Sequence, residues 1–301
     1  MTATSESTDI GDAEEMLPAV RDSRVRDAVI AAIFARPTTI VATLVILIFI
    51  VVAILSPALA PYDPLAQSII AINQEPSAAH WLGTDQFGRD VLSRILYGSR
   101  NSLIFGITAP VLAAICGTAL GVVAGYFGGL VDRVISRIID LLLAFPELLL
   151  AILISAAIGG GFWNVIIVLT VAFTPGFARL ARASTLAVKR EPYVEAAVAV
   201  GVRTPLIIFR HIVPNIAAPI IVLMTLWVAS AIRLEATLSF LGLGTQPPAP
   251  SWGNIIRDGL NNVFGSPWPI VAAGLGITLV VLSFNIIGDS VRDVLDPETN
   301  A

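Results

Sequence analysis

Six long apolar stretches limit the fold more than any other feature of this sequence. They cover residues 38–56, 103–126, 138–158, 162–182, 212–240 and 268–287. A helix needs roughly 20 apolar residues to cross the hydrocarbon core of a bilayer. Inside lipid the backbone must satisfy its own hydrogen bonds, so such stretches span as helices. The sequence therefore predicts an all-α, polytopic membrane protein with six transmembrane helices. Composition points the same way: 56% of the 301 residues are hydrophobic and 13% are charged, against about 25% charged in soluble domains. A soluble chain of this size could not hide so much apolar surface.

Charge placement gives an orientation. With the N-terminus in the cytoplasm, 13 of the 18 basic residues lie on the inner side and 5 on or near the outer side, which is the bias that sets topology. Six spans then return the C-terminus to the cytoplasm as well. The first span is expected to stay as an anchor, because its apolar run is long for a signal peptide and Pro61 follows the cleavage-like Ala58-Leu59-Ala60. Four parts are expected: a disordered acidic tail with a basic flank (1–37), the first helix with an outer segment (38–98), a five-helix domain (99–288) and a cytoplasmic tail (289–301).

Several chemistries find no support in the sequence. Cys116 is the lone cysteine, and His80 and His211 lack ligand spacing, so neither a disulfide nor a metal site is expected. There is no phosphate loop of the G-x-x-x-x-G-K-[ST] type, and the one lysine is Lys189. This chain is therefore not expected to hydrolyse ATP or to act as an enzyme. It should bind no cofactor, and its net charge of −4 suggests no nucleic-acid surface.

Residues 184–215, on the inner side, carry Glu195-Ala196-Ala197, then Gly201, then His211-Ile212-Val213-Pro214. Pro192 suits the first turn of a helix. Gly201 supplies a left-handed stop near Val200. Thr204-Pro205 starts a second helix, which Pro214 ends or kinks on the way into span five. The result is a helix–turn–helix elbow. Its small residues Ala196, Ala197 and Ala199 let another protein's backbone come close, and Glu195 gives one charged docking point.

On the outer side, Asp85 is a candidate helix cap. Asp90 and Arg94 can pair four residues apart on a helix lying along the membrane surface. That segment is an outer platform or a plain interfacial linker. The stiff run from Gln246 to Trp252, with Pro248, suits an outer lip, while Trp252 and Trp268 also read as interfacial anchors. Arg133, Asp140 and Glu147 are spaced by seven and fall on one stripe of a straight helix, with Glu147 ~21 Å along from Arg133. Asp140 and Glu147 then face a water-filled path, another subunit or a neighbouring helix, and not acyl chains. Arg233 is expected to snorkel to the outer interface.

The stretch EPYVEAAVAVGVRTPLIIFRHIVPN resembles the coupling loop of type I ABC importer permeases. Four more segments resemble the C-type permeases of dipeptide and oligopeptide importers: SPALAPYDP, HWLGTDQFGRDVLSRILYGSRNSL, AFPELLLAI and LEATLSFLGLGTQPPAPSWG. Together they cover roughly residues 37–297 in the same order. The resemblance implies the type I permease fold and a coupling role for Glu195, Ala196, Ala197, Gly201, His211 and Pro214. It implies a homologous second permease, two ATP-binding ATPase subunits that use ATP and Mg, an extracytoplasmic substrate-binding protein, a peptide substrate, and a bacterial-type cytoplasmic membrane as the location. Import of metal chelates is the alternative within the family, and an ion-coupled carrier the alternative outside it. Glu147 and Arg233 depart from the family pattern, which has neutral and apolar residues there.

Overall fold

Pro37 opens the first helix, α1 (Pro37–Leu59), in a computed structural model that describes residues 36–295. The acidic tail, Arg21, Arg24 and Arg26, and the residues after Leu295 lie outside the described residues. α1 is apolar all round and packs on only part of its surface, as a lipid-facing helix would. Its buried Thr39 meets Ser290 Oγ at 2.7 Å, which ties it to the last helix.

The outer segment then leads into α2 (Val91–Phe127), 37 residues without a break. The surface helix expected before span two is thus the first turns of the span itself. Nothing between Val91 and Leu103 stops a helix. Pro110 lies inside it, where neighbouring helices can absorb the missing N–H.

The third span is not one straight helix. α3 (Gly129–Leu143) and α4 (Glu147–Ile158) meet at 94° across Ala144-Phe145-Pro146. Proline disfavours helical geometry at the residue before it and cannot donate to the ladder. The stripe of Arg133, Asp140 and Glu147 is therefore broken, and Glu147 begins a new helix in a new direction. Among the described residues, five helices are long and apolar enough to span, and there are six if this bent pair is one span.

α5 (Phe162–Val188) packs along α2 more extensively than any other pair of helices does. The reason is a stripe on α2: Gly117, Gly121 and Gly125. A Cβ at these positions would run into Phe177, Ala178 and Thr185 of α5. Small residues four apart let helix backbones approach, and in lipid van der Waals packing drives association. Phe173 and Phe177 of α5 then close on Trp227, with ring centroids 4.7 and 5.1 Å apart.

After α5 come α6 (Pro192–Ala199), α7 (Thr204–Ile207) and α8 (Val213–Phe240). A wide π turn over Ile208–Ile212 joins α7 to α8, so residues 204–240 form one rod. α9 (Trp252–Gly259) is short and buried, and α10 (Trp268–Leu295) is the last span. α9 carries Trp252, fully buried, into the packing of α2 and α10, where its Nε1–H donates to the Ile95 carbonyl at 3.2 Å. Trp252 is a core residue, then, and not an interfacial anchor. Trp268 is 45% exposed.

Candidate coupling elbow and membrane charges

The elbow is built by its terminators. Val200 caps α6, and Gly201 follows at φ +80°. The Gly201 N–H donates to Val198 O at 3.0 Å and the Val202 N–H to Ala197 O at 3.0 Å. This is the paired stop in which a left-handed residue satisfies the last carbonyls of a helix. A Cβ on Gly201 would meet no neighbour within 4 Å, so the glycine is needed for its backbone angle and not for space.

Around that stop, Val194, Ile207 and Ile212 are buried and pin the elbow to the bundle. Glu195 and Ala196 are exposed, Ala197 is half-buried, and Val198 and Val200 are exposed. An apolar surface beside the exposed Glu191 and Glu195 carboxylates is thus left open. The Tyr193 and His211 rings lie 6.2 Å apart and brace α6 against the start of the rod. Pro214 does not end the second helix. The Val213 N–H reaches back to Ile208 O in the wide turn, and the helix continues through the proline.

At the other end of the bundle, the cap of α2 is Asp90, not Asp85. The Asp90 carboxylate accepts from Ser93 N–H at 2.8 Å and Ser93 O–H at 2.7 Å, and lies 2.9 Å from His80 Nδ1. Arg94 does not pair with Asp90, because the cap already holds that carboxylate. Arg94 turns instead to Asp85 at 3.4 Å and Asp258 at 3.8 Å. Arg89 meets the same two carboxylates at 2.7 and 3.2 Å. Asp85, Asp90, Arg89 and Arg94 are all buried. They clamp the segment before α2 onto α9 and do not themselves present charge to a partner. Pro248, in the loop before α9, is exposed.

Within the bundle, Asp140 pairs with Arg179 of α5 at 3.0 Å, and Asp132 holds Arg182 through two bonds of 2.5 and 2.7 Å. The Asp140–Arg179 pair is exposed and ties α3 to α5. Glu147 is exposed and makes no hydrogen bond or ion pair with a described residue. Arg233 leans back along its own helix. Its Nη2 lies 3.4 Å from Ser230 Oγ, one turn back along α8, which is the direction in which helical side chains lean.

Glu235, inside span five, was not singled out from the sequence. It is fully buried. Ser239 Oγ donates to Oε1 at 2.6 Å and Ser102 Oγ to Oε2 at 3.3 Å. Ser239 Oγ also accepts the Thr245 N–H at 3.1 Å, which fixes the outer loop to α8. The signal was the pairing of an acid with a hydroxyl four residues on, inside an apolar run.

Comparison with known proteins fits this geometry. Residues 117–301 match the family described as binding-protein-dependent transport system inner membrane component, and residues 26–76 match the N-terminal TM domain of oligopeptide transport permease C. The chain is 45% identical over 259 residues to the dipeptide transport system permease protein DppC of Alkalihalophilus pseudofirmus, covering 86% of this chain and 85% of that one. It is 40% identical to the glutathione transport system permease protein GsiD of Pectobacterium atrosepticum, over 94% and 95% of the two chains. It is 38% identical to the probable D,D-dipeptide transport system permease protein DdpC of Escherichia coli, over 87% and 88%. Its fold resembles a chain of the inward-facing MetNI methionine ABC transporter, with a TM-score of 0.54 at 18% identity, over 67% of this chain and 96% of that one. A bent third span, an outer segment clamped onto the bundle and a glycine-stopped elbow thus stand in a chain that belongs to the binding-protein-dependent inner-membrane permeases of ABC transporters.

Proposed function

We propose that this chain forms half of the translocation pathway of an ATP-driven importer of short peptides. One observation carries the substrate class: three permeases named for dipeptides or glutathione are 38–45% identical to this chain over most of its length. A homologous second permease supplies the other half. Two ATP-binding subunits, which hold ATP and Mg, dock on the elbows, and an external binding protein delivers the peptide.

The elbow suits docking because Glu195 and Ala196 are exposed on a short helix whose small side chains admit close approach. Gly201 ends α6 ahead of the rod, the Tyr193–His211 contact braces the two, and Pro214 lies within the rod. Closure of the ATP-binding subunits would push α6, and the rod 204–240 would carry the push outward. ATP favours one of two states, and the peptide is released in the other. A cleft of about 680 Å³, lined by Asp132, Arg133, Arg137, Asp140 and Arg182, lies on the elbow side and suits the inner mouth of the pathway. The basic residues around the elbow support a cytoplasmic position for this side and for both termini.

The test is purification of the tagged chain from native membranes, reconstitution, and an ATPase assay with binding protein and dipeptides. Co-purification of an ATPase that loaded binding protein stimulates is expected. A complex without an ATPase, or one stimulated only by metal chelates, would overturn this reading.

A further inference from the structure

One side of α3 packs on the bundle, where Ile139 is buried, and the other side is open. On the open side Leu130, Val134, Ile138 and Leu141 recur at helical spacing, and each is more than half exposed. Arg133 and Arg137, one turn apart, border this apolar stripe. Both are exposed, and neither makes a hydrogen bond or ion pair with a described residue. The nearby acids are already engaged, Asp132 with Arg182 and Asp140 with Arg179. Two cations are therefore left uncompensated. Both line the cleft of about 680 Å³, and so do Val134 and Ile138, so a basic wall adjoins an apolar one.

The bend fixes where this surface lies. α4 folds back on α5 through the turn at residues 159–161, and α3 leaves α4 at 94°. α3 thus runs across the spans and not along them. Its ion pairs show the same slant. Asp132 and Asp140 are ~12 Å apart along α3, while their partners Arg182 and Arg179 are ~4.5 Å apart along α5. α4 is ~18 Å long, well short of the ~30 Å hydrocarbon core. The bend therefore sits within the leaflet on the elbow side, and α3 slopes through the boundary between acyl chains and headgroups. A helix at that boundary turns its apolar side to the chains and its basic residues to anionic headgroups. An arginine fork takes a phosphate through paired, charge-assisted hydrogen bonds. We infer that α3 holds an anionic phospholipid of the elbow-side leaflet, with Arg133 and Arg137 on its phosphate and Val134 and Ile138 against its chains. Such a lipid edges the inner mouth proposed above, whatever the transported substrate.

The test uses the assembled complex in micelles holding equal amounts of phosphatidylglycerol and phosphatidylcholine, and native mass spectrometry counts the lipids retained. Wild type is expected to favour phosphatidylglycerol. Arg133→Gln with Arg137→Gln should lower that preference at least ~tenfold, as loss of two basic residues at an anionic surface would. Arg133→Lys with Arg137→Lys should keep most of it. Arg190→Gln with Arg203→Gln, which removes two exposed charges from the elbow instead, should keep it too. No preference in wild type, or an equal fall in both Gln pairs, overturns the site. Release of phosphatidylglycerol by inorganic phosphate marks a plain anion site and overturns the lipid. A second arm places a photo-reactive side chain on the stripe, Val134→p-benzoylphenylalanine, in nanodiscs of the same lipids. A lipid adduct is expected. A cross-link to another protein chain makes the stripe a subunit interface and overturns the proposal, and this arm decides even where the Gln pair yields no complex.

Discussion

At Gly201 the backbone angle of φ +80° does the work of ending α6. A side chain in that region costs about 1–2 kcal/mol. Proline cannot adopt the angle at all, and it removes the N–H that bonds Val198 O. Gly201→Pro should therefore abolish co-purification of the ATPase while membrane insertion is retained. Gly201→Asn, which tolerates left-handed geometry, should keep most of it. Pull-down of the partner beside a membrane-fraction blot checks both. Glu235 tests a different kind of dependence. Replacing it by Leu leaves two buried hydroxyls, Ser102 and Ser239, without their acceptor, at about 1–3 kcal/mol. Glu235→Gln keeps one acceptor oxygen and should cost less. Thermal unfolding of the detergent-solubilised complex should rank them wild type, Gln, Leu, and equal midpoints would refute a structural role for this carboxylate.

Among the elements, the α2–α5 pair depends most on small residues. Gly121 lies against the Ala178 carbonyl, the Ala181 Cβ and the Arg182 N. A valine there must push the helices apart, and overpacking of this kind costs about 1–3 kcal/mol. Gly121→Val is expected to lower the yield of folded, monodisperse chain, whereas Gly274→Val, where a Cβ would meet nothing within 4 Å, should not. Size-exclusion profiles of the two variants make the comparison. The elements also show how much the sequence discloses. Spans were legible because apolar length alone sets them. The elbow was legible because Pro192, Gly201 and Thr204-Pro205 act on backbone angles within a few residues of themselves. Pro146 was in plain view, but an apolar run has no way to signal direction, so the 94° bend was hidden. The capping role of Asp90 and the ties of Arg94 to Asp85 and Asp258 were also hidden. Asp258 lies more than 160 residues from Arg94, and only tertiary packing brings them together. Trp252 misled for the same reason: tryptophan suits a membrane interface and a core equally well, and the neighbours decide.

Across the whole molecule, the rod 204–240 connects the two ends that matter. Its N-terminal end carries the elbow. Its outer third carries Arg233 on the exposed side and Glu235 on the buried side, two residues apart. Each residue turns a helix by about 100°. The rod is therefore a gear shaft with no slipping clutch. One alanine inserted between Pro219 and Val228 would swing every outer side chain by that angle, pulling the Glu235 carboxylate out of its hydroxyl nest and unseating the outer loop. Loss of assembled complex is expected, and a second insertion of three more residues, which brings the turn close to full circle, should recover part of it. The wide turn at Ile208–Ile212 holds one more residue than a regular helical turn. It fixes the phase between the shaft's handle and its teeth, so evolution or an engineer could retime the machine there by changing the count by one.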